Sequence, residues 1–123
     1  MKQLILVFLG GGIGSALRYW IGQYLNSPKY DFPYGTFLVN ILGSLLIGVI
    51  LGFALKNNSL SNNTILFIAT GFCGGFTTFS AFAFENQAFL KSGDLASFGL
   101  YTLGTLLIGF GAVFIGIWLV RFF

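Results

Sequence analysis

The sequence has no histidine, one cysteine, two prolines and three acidic residues in 123 positions. Without histidine, the commonest metal ligand and neutral-pH proton carrier is missing, and a lone Cys73 can form neither an intramolecular disulfide nor a thiolate cluster. Only Asp31, Glu85 and Asp94 could act as a carboxylate base, so hydrolytic and metal chemistry are not expected and the chain does not read as an enzyme. No glycine-rich phosphate loop ending in lysine is present, which argues against nucleotide hydrolysis. Charge is equally scarce: 7% of residues are charged and 56% are hydrophobic, too little polar surface to cover a soluble fold. The net charge of +3 is small and dispersed, so no nucleic-acid partner is implied.

What is present is apolar sequence long enough to cross a membrane repeatedly. A helix needs roughly 20 apolar residues to span the hydrocarbon core. The chain is accordingly read as an all-α, multi-pass membrane protein, residues 1–123 forming a single transmembrane domain with spans near 3–24, 34–55, 63–90 and 95–121. Turn-forming and polar residues collect between them, from Asn26 to Pro33, Lys56 to Asn63 and Lys91 to Asp94. These connections are short, so successive helices are antiparallel neighbours. Met1, Lys2 and Gln3 precede an apolar run, as in a secretory leader, but no small-residue cleavage site follows and the run is expected to remain as span 1.

Residues 71–82, GFCGGFTTFSAF, interrupt the third span. Gly74 and Gly75 are poor helix residues, and the hydroxyls of Thr77, Thr78 and Ser80 can take backbone partners where the helix opens. Non-helical backbone at membrane depth is tolerated only inside protein or beside a polar cavity, so a broken third helix predicts a site or a pathway. Cys73, beside the break, reads as a small packing residue. Thr36, Asn40, Ser44, Gly48 and Gly52 recur every fourth residue along span 2, while Gly10 and Gly14 form a small pair in span 1; both patterns suit close helix contact. Asn40 has two readings, interhelical glue or the wall of a polar path. Arg18 either snorkels to the interface or is held by partners or an anion, and Glu85 lies beyond the break. Phe79 and Phe82 share a helix face; their electropositive ring edges could attract an anion in a narrow passage with donors from Ser80, Thr77, Asn40 and Tyr101.

If both termini lie on one side of the membrane, that side carries Lys2, Lys56 and Arg121 and the other carries Arg18, Lys29 and Lys91. A balanced count gives no preferred orientation, so insertion both ways and an antiparallel, dual-topology homodimer are expected.

Residues 14–19 (GSALRY), 35–44 (GTFLVNILGS) and 71–82 resemble the three sequence blocks of the Fluc (CrcB) fluoride channels of microbial membranes, in the same order and over essentially the whole chain. The resemblance implies an antiparallel homodimer in the prokaryotic plasma or inner membrane, with two pores that let fluoride leave the cytoplasm passively and so protect against its toxicity. By the same resemblance, Asn40, Phe79, Phe82, Ser80 and Tyr101 line the fluoride path, Arg18 and Glu85 belong to the vestibule or pore mouth, and the backbone carbonyls of Gly74 and Thr77 hold a central structural sodium ion. Relatives usually read TTFSTFS; Ala81 and Ala83 replace a threonine and a serine here, removing two hydroxyls from the track. Two rival readings are a proton-coupled four-helix multidrug exporter and a membrane assembly subunit that transports nothing. The exporter would require a carboxylate in the middle of span 1, and residues 4–20 contain none.

Overall fold

The computed structural model describes residues 1–28, 31–57 and 60–123; Lys29 and Tyr30 of the first connection and Asn58 and Ser59 of the second lie outside the described residues. Four helical segments are long and apolar enough to cross a membrane, Lys2–Leu25, Tyr34–Lys56, Asn62–Ser92 and Leu95–Phe122, each end within two residues of the position expected from the sequence. The elements are α1 (Lys2–Leu25), α2 (Tyr34–Asn57), α3 (Asn62–Ile65), a π-helical stretch Leu66–Cys73, α4 (Gly74–Phe76), α5 (Phe79–Ser92), α6 (Leu95–Leu119) and a closing 3₁₀ turn, Val120–Phe122.

Helix ends are set by identifiable groups. The Ser61 hydroxyl accepts the Thr64 N–H (3.1 Å) and starts α3. Gly93 ends α5 in the left-handed region (φ 80°), where a side chain would be strained; the N–H groups of Gly93 and Asp94 return to Leu90 and Phe89. Asp94 then caps α6 by accepting the Ser97 N–H at 3.1 Å, and hydrogen bonding from Ser97 holds this exposed carboxyl below its usual pKa. At the far end of α6, Lys56 from α2 donates to the Val120 carbonyl (3.1 Å), a cation on the negative end of a helix dipole.

Two helix pairs carry the packing. One is α1 against the π-helical stretch and α4; the other is α2 against α6. Lipid supplies no hydrophobic drive between helices, so close backbone approach through small residues does the work. A Cβ added to Gly14 would collide with the Phe72 carbonyl, and one added to Gly116 would lie 2.5 Å from the Leu45 carbonyl and 2.8 Å from the Val49 amide nitrogen. The four-residue ladder of α2 divides its labour accordingly: Gly48 and Gly52 meet α6 and the turn after it, while Thr36 and Asn40 reach the third span.

Candidate functional site

The third span departs from α-helical geometry twice. Its turns widen to π-helical spacing over Leu66–Cys73, and Thr77 (φ −85°, ψ 157°) and Thr78 (φ −150°, ψ 118°) are extended. Backbone groups on either side of the step take side-chain partners, as burial away from water favours. Cys73 O accepts both the Thr77 N–H (3.0 Å) and the Thr77 hydroxyl (2.8 Å). Gly75 O, at the end of the first half-helix, accepts Arg18 Nε–H at 2.9 Å and the Ser15 hydroxyl at 3.4 Å. Arg18 is half-buried, and its Nε–H is fastened to a helix C-terminus, a protein partner of the kind a non-snorkelling arginine requires.

Asn40 clamps the extended backbone from α2. Its Oδ1 accepts the Thr78 N–H at 2.7 Å and its Nδ2 donates to the Thr78 carbonyl at 3.1 Å. The Thr78 hydroxyl then accepts the Ala81 N–H (3.2 Å) and begins α5. These two diversions have a further effect. In a continuous helix the Thr78 N–H would bond the Gly74 carbonyl and the Ala81 N–H the Thr77 carbonyl, so the chain takes the helical partner away from both oxygens.

Two cavities flank this point, and Thr78 lines both. The larger, about 560 Å³, is bordered by Asn40, Ser44, Gly74, Thr77, Phe79 and Phe82 among others. The smaller, about 310 Å³, is bordered by Arg18, Gln23, Asn26, Thr36, Ala81 and Glu85 among others. Phe79 and Phe82 have ring centroids 6.0 Å apart, but their environments differ: Phe79 is 79% exposed and Phe82 is 8% exposed. Phe82 presents a T-shaped contact to Tyr101 at 5.0 Å.

Glu85 is held from two helices. Its Oε2 accepts the Thr36 hydroxyl (2.7 Å) and its Oε1 the Tyr101 hydroxyl (2.9 Å). Tyr101 is fully buried within a ring cluster of Phe32, Phe82 and Phe89. It therefore stands behind Phe82, with its hydroxyl on Glu85. Ser80 is exposed, with its hydroxyl 3.3 Å from that of Thr78.

The structure thus gathers Asn40, Phe79, Phe82, Gly74 and Thr77 on the larger cavity and Arg18 and Glu85 on the smaller; Tyr101 and Ser80 border neither. The hydroxyl of Thr78 was expected to take a backbone partner and accepts the Ala81 N–H, but its clasp by Asn40, the Thr105 hydroxyl and the Asn26 side chain were not singled out by sequence reasoning. Thr78, not Thr77, is the residue Asn40 grips, and adjacent identical residues carry no signal to separate them. Thr105 borders the larger cavity with a buried hydroxyl that has no hydrogen-bond partner among the described residues; its position one turn after Tyr101 was the available clue. Asn26 was read only as part of a connection. Cys73 is buried. Among the described residues no group of three or more His, Cys, Asp or Glu is placed to hold a metal ion. An oxygen-seeking cation would depend on carbonyls instead, and those of Gly74 and Thr77 are chemically suited to one.

Comparison with known proteins gives one family and consistent relatives. A family model described as "CrcB-like protein, Camphor Resistance (CrcB)" matches residues 5–117. The chain is 49% identical to the fluoride-specific ion channel FluC of Gloeothece citriformis, over 98% of this chain and 98% of that protein. It is 43% identical to FluC of Azobacteroides pseudotrichonymphae, covering 100% and 99% of the two chains, and 47% identical to FluC of Phocaeicola vulgatus, covering 97% and 98%.

Proposed function

Because this chain belongs to the CrcB-like protein family, we propose that it is a fluoride-specific ion channel, a multi-pass protein of the cell membrane and not an enzyme. The observation that carries the reading is the extended Thr77–Thr78 step, fastened by Asn40 between two cavities with Phe79 and Phe82 beside it. We read it as the break in the third span of one four-helix transmembrane domain, residues 1–123. Fluoride gives up tightly held water only where fixed donors and ring edges replace it, and it leaves only if none of these holds it too strongly. Arg18 and Glu85 would shape the mouth, Asn40 and Ser80 would supply polar groups along the way, Tyr101 would act on the path from behind Phe82 through its hydroxyl on Glu85, and the two phenylalanine edges would serve as stations. Flux down the electrochemical gradient would rid the cytoplasm of fluoride and protect the cell.

The pore would be completed by an antiparallel second copy. In support, the larger cavity opens beside Phe79, whose ring is mostly uncovered in one chain. The balance of Lys and Arg supports insertion in both orientations. The Gly74 and Thr77 carbonyls, two per chain, would together hold one sodium ion between two copies; the ion would fix the backbones where they meet. In a bacterial strain lacking its own fluoride exporter, expression should restore growth in fluoride, and C-terminal reporter fusions should register on both sides of the membrane. Growth no better than the empty strain would contradict the channel, and one fixed orientation would contradict the antiparallel pair.

Gly74 offers a test of the central contact. A Cβ added there meets nothing within 4 Å in its own chain, so Gly74→Val should leave the fold of one chain intact. The valine is expected to weaken the dimer in detergent and remove any sodium dependence of efflux, because it intrudes where two backbones converge. Unchanged dimer and efflux would take Gly74 out of the centre.

A further inference from the structure

Asn26 follows the end of α1 and reaches across the first connection to the start of α2. Its own N–H bonds the Gly22 carbonyl at 3.0 Å, and its side chain meets three groups of α2. The Gly35 N–H (2.8 Å) and the Thr36 N–H (3.3 Å) both point at one side-chain atom. Backbone N–H groups can only donate, so that atom is the carboxamide oxygen and the orientation of the amide is settled by its surroundings. The nitrogen is then the group 3.0 Å from the Thr36 hydroxyl, and it can only donate. Thr36 Oγ1 accepts from Asn26, which leaves its single hydrogen for Glu85 Oε2 at 2.7 Å. The polarity of the chain is therefore one-way, from Asn26 through Thr36 to Glu85, with Tyr101 donating to the other carboxylate oxygen. Space for this seat is reserved: a Cβ on Gly35 would lie 2.9 Å from Asn26 Oδ1 and 3.2 Å from the Gly22 Cα.

We propose that Asn26 is a positioning residue for Glu85, acting through the Thr36 hydroxyl by fixing the direction in which that hydroxyl donates. In flux terms this rests on the fluoride-channel reading, with Glu85 at the pore mouth beside Arg18. The Asn26→Asp substitution inverts the relevant polarity at nearly constant shape. Its carboxylate still accepts the Gly35 and Thr36 N–H groups, but where the amide donated it now competes with Glu85 for the one Thr36 hydrogen.

The chain contains one glutamate, so glutamate labelled with ¹³C at the side-chain carboxyl gives a single resonance that reports Glu85 directly. Asn26→Asp should move that resonance and slow fluoride efflux from liposomes about tenfold, the scale of losing one hydrogen bond to a charged group. Thr36→Val removes the relay hydroxyl and should itself slow efflux; adding Asn26→Asp to it should then change neither the rate nor the resonance further. Asn26→Ala, which removes the amide without adding charge, should also move the resonance. The proposal is overturned if Asn26→Asp acts as strongly in the Thr36→Val background, the mark of simple charge repulsion at the mouth. It is overturned equally if the resonance stays in place in both Asn26 variants. An unsubstituted chain that passes no fluoride would contradict the channel reading and leave the resonance experiment to decide the role of Asn26.

Discussion

Asn40→Asp should all but abolish fluoride efflux while leaving most of the packing in place. The asparagine makes paired bonds to one residue, accepting the Thr78 N–H at 2.7 Å and donating to the Thr78 carbonyl at 3.1 Å. Aspartate can keep the first bond but turns the second into a meeting of two acceptors, and it sets a negative charge on the wall of the larger cavity. A charge-assisted repulsion there opposes both the extended backbone and an approaching anion. Asn40→Ala is the milder partner. It leaves the Thr78 N–H and carbonyl without their side-chain partner, at roughly 1–3 kcal/mol per buried group, and should slow efflux and lower thermal stability together. Efflux assays beside melting curves in detergent separate the two effects, and an Asn40→Asp channel that conducts normally would remove Asn40 from the path.

The second large effect is expected at the paired phenylalanines. Phe79→Ile and Phe82→Ile each keep an apolar side chain but remove the electropositive ring edge, and each should slow efflux about tenfold or more. Burial distinguishes the two. Phe82 is 8% exposed and stacked edgewise on Tyr101, so its replacement also costs on the order of 1–3 kcal/mol of packing. Phe79 is 79% exposed in one chain, so loss of transport there is the cleaner sign of an ion station. Phe89, outside residues 71–82 and thus a natural comparison from sequence, is a poor control because its ring lies 6.1 Å from Tyr101 and 6.3 Å from Phe32. Phe8, 77% exposed on α1, serves better. Equal loss in Phe8→Ile, or parental rates in both test variants, would mean that the ring edges do not bind fluoride.

Length and composition made the four spans legible, because hydrocarbon demands continuous apolar helix and tolerates few alternatives. The glycines and hydroxyls of residues 71–82 marked the place where the third span departs from regularity, but not its form. The π-helical widening over Leu66–Cys73 depends on what packs beside it and has no local compositional sign. Shared spacing put Phe79 and Phe82 on one face, yet the neighbouring α6 covers only one of them. Arg18 and Asn40 were recognised as costly in a membrane, but their partners, the Gly75 carbonyl and Thr78, became identifiable only in three dimensions. Asn26 was hidden for a different reason. A polar residue in a connection needs no explanation until its hydrogen bonds are traced to Glu85.

The central claim is most directly tested by purified protein in liposomes loaded with fluoride, with external fluoride followed by electrode after a potassium ionophore sets the driving force. The account predicts rapid fluoride release that scales with the fraction of liposomes holding protein, while chloride loaded in parallel stays inside. Fluoride release no faster than from protein-free liposomes, or chloride leaving as readily as fluoride, would contradict it.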